Sequence, residues 1–271
     1  MEINGFSSAD LVQQTHRAQQ RFRTNLLRLS TGKKINSAKD NPALIAQLGR
    51  LDAEIRSSAQ ASRNIGDALS LGAVAEVGAT GISANLQRIR ELSVQAGNDT
   101  LSANDREAIQ LEINYLREGI DQIASSTNFN ETNLLDGSFQ GRNFQVGTSS
   151  GDQDRVGLSI GSLSSGALGL DNLDVSTAAR ARASIDSASS ALDSTLNARS
   201  RLGAFQNRLE ARASNLGSST IQDEATRSRQ QDTDFAQTSS ELQRALLLSS
   251  TSIASLAHYN ASEQSVLRLL G

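Results

Sequence analysis

Residues 41–69 read NPALIAQLGRLDAEIRSSAQASRNIGDAL, and this stretch decides the fold. It opens on Asn41 followed by Pro42, the only proline in the chain. Asn is a good helix N-cap, and proline is tolerated at the first helical position because its missing N–H would have no partner there. From that start Leu44, Leu48, Leu51, Ile55, Ser58, Ser62, Ile65 and Leu69 recur at alternating steps of four and three. That is the heptad spacing of a coiled-coil seam, here thinned by two serines. The rhythm resumes at Ile82, Leu86 and Ile89 after a phase slip near Gly78 and Gly81, and ends around Gly97-Asn98. A helix this long, apolar along one stripe, needs a partner along much of its length.

Working outward, a shorter helix is predicted from about Asp10 to Thr31. Leu11, Thr15, Ala18, Phe22 and Leu29 lie on its stripe, Leu26 sits beside it, and Gly32 stops it. A polar connection, Lys33 to Asp40, leads into the long helix. Downstream, Ser102 with Asp105 makes a capping-box pattern, and Ile109, Ile113, Leu116, Ile120 and Ile123 repeat the heptad steps. From Phe129 to about Val175 glycine becomes frequent. Phe144 and Val146, then Val156, Leu158 and Ile160, alternate with polar residues, which predicts a β-hairpin around a loop at 147–155. Helical spacing returns at Ala178 and carries Ile185, Ala188, Leu192, Leu202, Leu209, Ala213 and Leu216 to about Ile221. After the polar stretch 222–231, a last helix from about Asp232 places Phe235, Leu242, Leu246, Ile253 and Leu256 on one face, and closes on an apolar run that includes Leu269. The hairpin turns the chain round, so the two halves run antiparallel and the C-terminus returns to the N-terminus. The expected fold is mainly α: an elongated antiparallel coiled coil or helical bundle with a small β-hairpin.

Composition agrees with thin helix-on-helix packing. Aromatic residues are 3% of the chain and Trp is absent, so the large side chains that dominate a thick core are missing. The terminal helices carry seams too thin to hold an isolated helix in water and are expected to be partly disordered until a partner covers them. A net charge of -3 gives no electrostatic footprint for nucleic acid or an anionic membrane. No run approaches the ~20 apolar residues of a membrane span. Met1 to Asp10 lacks a basic segment followed by an apolar run, so no cleaved secretory signal is expected.

Catalytic and ligand-binding patterns are not found. The chain has no Cys, which excludes disulfides, thiolate catalysis and Cys-based zinc sites. His16 and His258 lack a clear third ligand and read as polar positions on helices. Asp152 and Asp154 resemble a fragment of a calcium loop without its closing Glu. Gly157, Gly161, Gly166 and Gly169 fit neither the dinucleotide nor the phosphate-loop pattern, and no G-x-S-x-G elbow positions a serine. No catalytic, metal or cofactor residues are expected, and the sequons at Asn98, Asn130 and Asn260 are of the kind that arise by chance in an Asn- and Ser-rich chain.

Several stretches resemble bacterial flagellins. They are Arg28-Leu-Ser-Thr-Gly32 with Ile35-Asn-Ser-Ala-Lys-Asp40, Gln60-Ala-Ser-Arg-Asn64, and Asn85-Leu-Gln-Arg-Ile-Arg-Glu-Leu-Ser-Val-Gln95. Phe129-Asn130, Asn133-Leu-Leu-Asp-Gly137 and Phe144-Gln-Val-Gly147 follow in the family's order, as do Leu202-Gly-Ala-Phe-Gln-Asn-Arg-Leu-Glu210 and Asp232-Thr-Asp-Phe-Ala236. Met1 to Gln20, Pro42, Leu44 and Leu246 to Ser249 depart from the pattern. There is no room for the variable outer domains many flagellins insert, so the resemblance is to a core-only form.

The resemblance implies a filament subunit of the flagellum, exported by the type III apparatus without a cleaved signal and polymerising outside the cell for swimming motility. Residues 1–40 and 232–271 would pair as the inner filament domain, and 41–231 would form a helical rod with the hairpin. Leu11, Phe22, Leu29, Phe235, Leu242, Leu256 and Leu269 are the expected assembly seam. The partners implied are copies of the chain, an export chaperone, and cap and hook-associated proteins. A Toll-like innate immune receptor would read Arg88, Leu92 and Glu112. The runner-up is a hook–filament junction protein that shares the terminal helices; a secreted coiled-coil adhesin or enzyme is a more distant reading.

Overall fold

The structure is a computed structural model and describes residues 8–270. Helix α1 spans Ser8–Thr31, α2 Pro42–Ala96, α3 Ala103–Ser126, α4 Ala178–Gln231 and α5 Phe235–Leu270. Between α3 and α4 lie two short antiparallel pairs: β1 (Asn128–Phe129) with β2 (Thr132–Asn133), and β3 (Arg142–Gln145) with β4 (Arg155–Leu158). The mainly helical fold with a small hairpin is therefore as expected. The chain divides into two compact units, the described parts of Met1–Ile55 and Ile221–Gly271 forming one and Arg56–Thr220 the other.

Local signals explain most helix ends. The Asn41 side chain accepts from the Leu44 N–H at 3.1 Å, with Pro42 as the first residue of α2. Ser102 and Asp105 form the capping box of α3: Asp105 N–H donates to Ser102 Oγ at 3.2 Å, and Ser102 N–H donates to the Asp105 carboxylate at 3.0 Å. The Ser102 hydroxyl and amide hydrogen bonds hold the Asp105 carboxyl below the usual carboxylate range. One end was not legible. The polar stretch 222–231 continues α4 to Gln231. It is stabilised there by pairing, as in the ion pair of Arg227 with Asp52 at 3.3 Å.

In the Arg56–Thr220 unit the inner line of α2 is Ala61, Ile65, Ala68, Gly72, Ala75, Ala79, Ile82, Leu86, Ile89, Ser93 and Ala96. These steps of four and three run unbroken through the supposed phase slip, because Ala and Gly hold the seam positions there. Ser62, expected in the seam, is exposed, and Ala61 replaces it. On α4 the line runs through Ala181, Ser184, Ala188, Ala191, Thr195, Leu202, Phe205 and Leu209, with Ile185 and Leu192 only half-buried beside it. Helix α3 contributes Ile109, Ile113 and Ile120. Polar pairs cross between the helices: Arg88 with Glu112 joins α2 and α3 and Glu76 with Arg199 joins α2 and α4, each at 2.8 Å, and Arg90 with Ser189 at 3.1 Å shows with the latter that α4 runs antiparallel to α2.

By length and composition alone, part of α2 is apolar enough to cross a membrane. This corrects the expectation that no stretch is apolar enough. Ala, Gly, Ile and Leu at the seam positions of the core helix produce the same hydropathy.

The hairpin is placed by its alternation. Phe144 pairs with Val156 in register, and Val146, Val156, Leu158 and Ile160 are buried. Phe144 packs on Phe205 of α4 with ring centroids 5.6 Å apart, and Asn64 of α2 donates to Gln145 O at 3.1 Å. The smaller β1–β2 hairpin was not expected from the sequence. Its two-residue turn has Asn130 at φ 47 and Glu131 at φ 62, a left-handed turn without the usual glycine. The connection from β4 to α4 lies along α3, held by side chains on one face of that helix. Asp121 accepts from Ser165 N at 2.8 Å and from its hydroxyl at 2.6 Å, Arg117 donates to Asp171 O at 3.2 Å, and Gln110 accepts from Val175 N at 2.8 Å.

Candidate assembly and recognition surfaces

In the other unit α1 packs against α5. Backbone pairing anchors this arrangement. Residues 32–34 run antiparallel to 231–233, with Lys34 N donating to Gln231 O at 2.6 Å and Thr233 N to Gly32 O at 3.0 Å. Asp234 then starts α5 by accepting from the Gln237 N–H at 3.0 Å.

The buried line of α1 is Leu11, Thr15, Ala18, Phe22, Asn25 and Leu29, again at steps of four and three. Leu11, Phe22 and Leu29 are half-buried, whereas Ala18 and the unexpected Asn25 are fully buried. On α5 the line is Thr238, Leu242, Ala245, Ser249, Ser252, Leu256 and Tyr259, of which Thr238 and Ala245 are buried and the rest half-buried. The structure thus places Leu242 and Leu256 in the seam but Phe235 outside it, 59% exposed. Leu246 and Ile253 also face out. Small residues at the inner positions let the helices approach closely, which turns the larger apolar side chains outward. The side chain of Leu269 lies outside the described residues.

The result is a helix pair with unused apolar surface. Val12, Leu26 and Leu27 on α1 and Leu246, Leu247, Leu248 and Ile253 on α5 are all exposed. Exposed large apolar side chains grouped on paired helices mark an interaction surface.

The second surface is on α2 and α3. Arg88 Nε and Nη2 donate to one oxygen of Glu112 at 3.0 and 2.8 Å, and Nη1 donates to Glu91 at 3.3 Å. Donation to Glu112 first, and then to Glu91, raises the guanidinium's pKa. Both Arg88 and Glu112 are exposed. Leu92, one turn along α2, does not share that surface: it is 2% exposed and belongs to the core. Tyr115 and Leu111, near Glu112 on α3, are exposed and were not singled out from the sequence. Among the described residues no group of His, Cys, Asp and Glu could hold a metal ion, and His16 and His258 are both exposed.

Comparison with known proteins decides the family. The bacterial flagellin N-terminal helical region matches residues 4–140, and the bacterial flagellin C-terminal helical region matches residues 184–270. The chain belongs to the flagellin family. The N-terminal match starts inside the stretch that departs from the family's pattern, Met1 to Gln20. The flagellin of Halalkalibacterium halodurans is 37% identical over 90% of this chain and 89% of its own length. The flagellar filament 30.7 kDa core protein of Treponema maltophilum is 33% identical over 91% of each. Among solved structures, the crystal structure of Bacillus cereus flagellin aligns with TM-score 0.52 at 29% identity, covering 57% of this chain and 88% of that one. As a flagellin, the chain is similar to these relatives over nearly their whole length, so its shortness is shared with them.

Proposed function

We infer that this flagellin is the structural subunit of an extracellular flagellar filament, polymerising with copies of itself for swimming motility. The observation that carries this reading is the match of both terminal helical regions on one chain, together with near full-length similarity to flagellins and to a flagellar filament core protein. The α1–α5 pair fits the role physically, since its thin seam leaves apolar side chains for neighbours to cover. Removing residues 232–271 tests it. The full chain is expected to form filaments visible by electron microscopy on seeding, and the truncated chain none; normal filaments from the truncation would sink the reading. A hook–filament junction role is disfavoured by the full-length flagellin similarity.

Finer points of the proposal follow from family membership. Residues 1–40 and 232–271 act as the inner filament domain and 41–231 as the rod, with Leu11, Phe22, Leu29, Phe235, Leu242, Leu256 and Leu269 in the assembly surfaces. Export proceeds without a cleaved signal, assisted by a chaperone, and assembly takes place at cap and hook-associated proteins. The chain carries no catalytic function. For a Toll-like receptor, the exposed Arg88–Glu112 pair is the contact and the buried Leu92 supports the helix beneath it. Replacing Arg88 by Ala is expected to lower receptor signalling by the monomer at least tenfold, the range for losing a buried interfacial charge contact. An unchanged response would remove these residues from the site.

A further inference from the structure

The outward stripe of α3 is apolar in the middle and acidic at its ends. Ile109, Ile113 and Ile120 are buried, so the opposite side of the helix carries Glu107, Leu111, Tyr115 and Glu118, at steps of four, four and three. Leu111 is 56% exposed and Tyr115 72%. Glu107 and Glu118 are exposed and make no hydrogen bond or ion pair among the described residues. The arginines around the stripe are engaged elsewhere. Arg88 pairs with Glu112 and Glu91, Arg106 is buried in its turn, and Arg117 donates to Asp171 O. Two large apolar side chains between unpaired carboxylates make a face that suits a basic, apolar groove.

The same unit carries such a groove, between α4 and β4 with the segment that follows it. Two openings of about 370 and 300 Å³ share Leu158, Ser159 and Arg201, and so form one groove. Leu168, Leu202 and Phe205 add apolar wall, and among the described residues no carboxylate lines either opening. Arg201 and Arg208 stand along it two turns apart on α4, both exposed and without a hydrogen bond or ion pair among the described residues. The strand beside them is open. Val146 N donates to Asp154 O at 2.8 Å, so Val156 and Leu158 bond to β3 while Gly157 turns its N–H and C=O to the other edge, in the groove. The outer edge of β3 is covered, since Gln145 O accepts from Asn64 of α2 at 3.1 Å. An open edge over an apolar groove is a liability unless assembly covers it.

We propose that the β4–α4 groove receives the outward stripe of α3 from a second copy of this chain. Leu111 and Tyr115 enter the groove, and Glu107 and Glu118 meet Arg201 and Arg208. Charge selects this occupant. Two grooves set face to face would oppose arginines, and two stripes would oppose carboxylates, so neither face pairs with itself. Stripe on groove joins opposite charges. Because the two faces differ, the contact repeats from copy to copy into an open filament. This rests on the filament-subunit reading and supplies a specific contact within it.

Seeded polymerisation of the full chain, followed by sedimentation and electron microscopy, tests the contact. Glu107→Arg/Glu118→Arg and Arg201→Glu/Arg208→Glu are each expected to raise the concentration needed for filaments about tenfold or more, because each sets like charges against one another. A chain carrying both sets restores opposite charges and is expected to recover most of that loss. Tyr115→Ala is expected to raise the concentration about tenfold, as for loss of a buried aromatic anchor. Should a reversal lower the monomer's helix content, Glu107→Gln/Glu118→Gln or Arg201→Gln/Arg208→Gln replaces it, with a smaller defect expected in the same direction. Assembly of either charge variant, or of Tyr115→Ala, at the unaltered concentration overturns the proposal. So does a combined variant as defective as its parents. A defect confined to the groove variants gives the groove to another segment or partner and removes α3 from it. If the unaltered chain forms no filaments, the filament reading itself fails.

Discussion

Gly78 lies in α2 where an added Cβ would meet Thr127 Oγ1 at 2.6 Å and Leu135 Cδ1 at 2.7 Å. The absent side chain lets the segment after α3 sit directly on α2. In Gly78→Ala the helix gains propensity but the packing is forced apart, and a net loss of ~1–2 kcal/mol is expected. Gly66, also in α2, has nothing within 4 Å of the same position. Gly66→Ala is expected to stabilise by ~0.5–1 kcal/mol, since only backbone entropy and helix propensity change. Thermal unfolding of the two variants should move in opposite directions; a matching shift would show that Gly78 is not a packing position. The sequence marked Gly78 only as a break in the heptad pattern, because which atoms approach a glycine depends on segments distant in the chain.

At the scale of elements, the turn from α2 to α3 depends on one side chain. Arg106 is buried, and its guanidinium donates to Ala96 O at 3.0 Å, Asn98 O at 2.8 Å and Leu101 O at 2.7 Å. The last carbonyls of a helix have no partners within it and carry the negative end of its dipole, so a cation there acts as a cap. Arg106→Ala removes all three donations, leaving Asn98 O only its bond from Leu101 N at 3.3 Å, and is expected to cost ~3 kcal/mol in denaturant unfolding. Arg106→Lys should recover less than half, because an ammonium cannot span the positions a planar guanidinium reaches. Equal stability of Arg106→Lys and the unaltered chain would rule out the fork as the cap. The neighbouring Ser102–Asp105 capping box could be read in the sequence because its members are three residues apart. The Arg106 cap could not, since its acceptors are backbone atoms placed by the turn itself.

For the whole molecule, burial is uneven between the two units. The large hydrophobic core cluster runs from Ile65 to Leu209 and lies entirely in the Arg56–Thr220 unit. In the other unit the buried apolar residues are few, Ala18, Ile35, Leu48, Ile55 and Ala245 among those described. Local stability follows apolar burial, so opening of α1 and α5 should require less free energy than opening of the core. Hydrogen exchange of the monomer is expected to show fast exchange across α1 and α5 and slow exchange across residues 65–96 and 181–209. In filaments the terminal helices should become protected as neighbours cover them. Equal protection of both units in the monomer would contradict this view of the ends as completed by assembly.

Heptad steps, the Asn41-Pro42 start, the Ser102 cap and the alternation at 144–160 were enough to determine a mainly helical, antiparallel chain with a hairpin. They sufficed because each signal rests on near neighbours in the chain. The family stretches likewise indicated flagellin from the residues alone. Tertiary structure decided which residues occupy the seams. Periodicity ranks large apolar residues as buried, but where helices approach closely only Ala, Gly, Ser, Thr and Asn fit between them. So Ala18, Asn25, Thr238 and Ala245 lie inside while Phe235, Leu246 and Ile253 face out. Tertiary packing also parts Arg88, which is exposed, from Leu92, which is buried. They are one turn apart in sequence, but that turn crosses from the exposed side of α2 to its core.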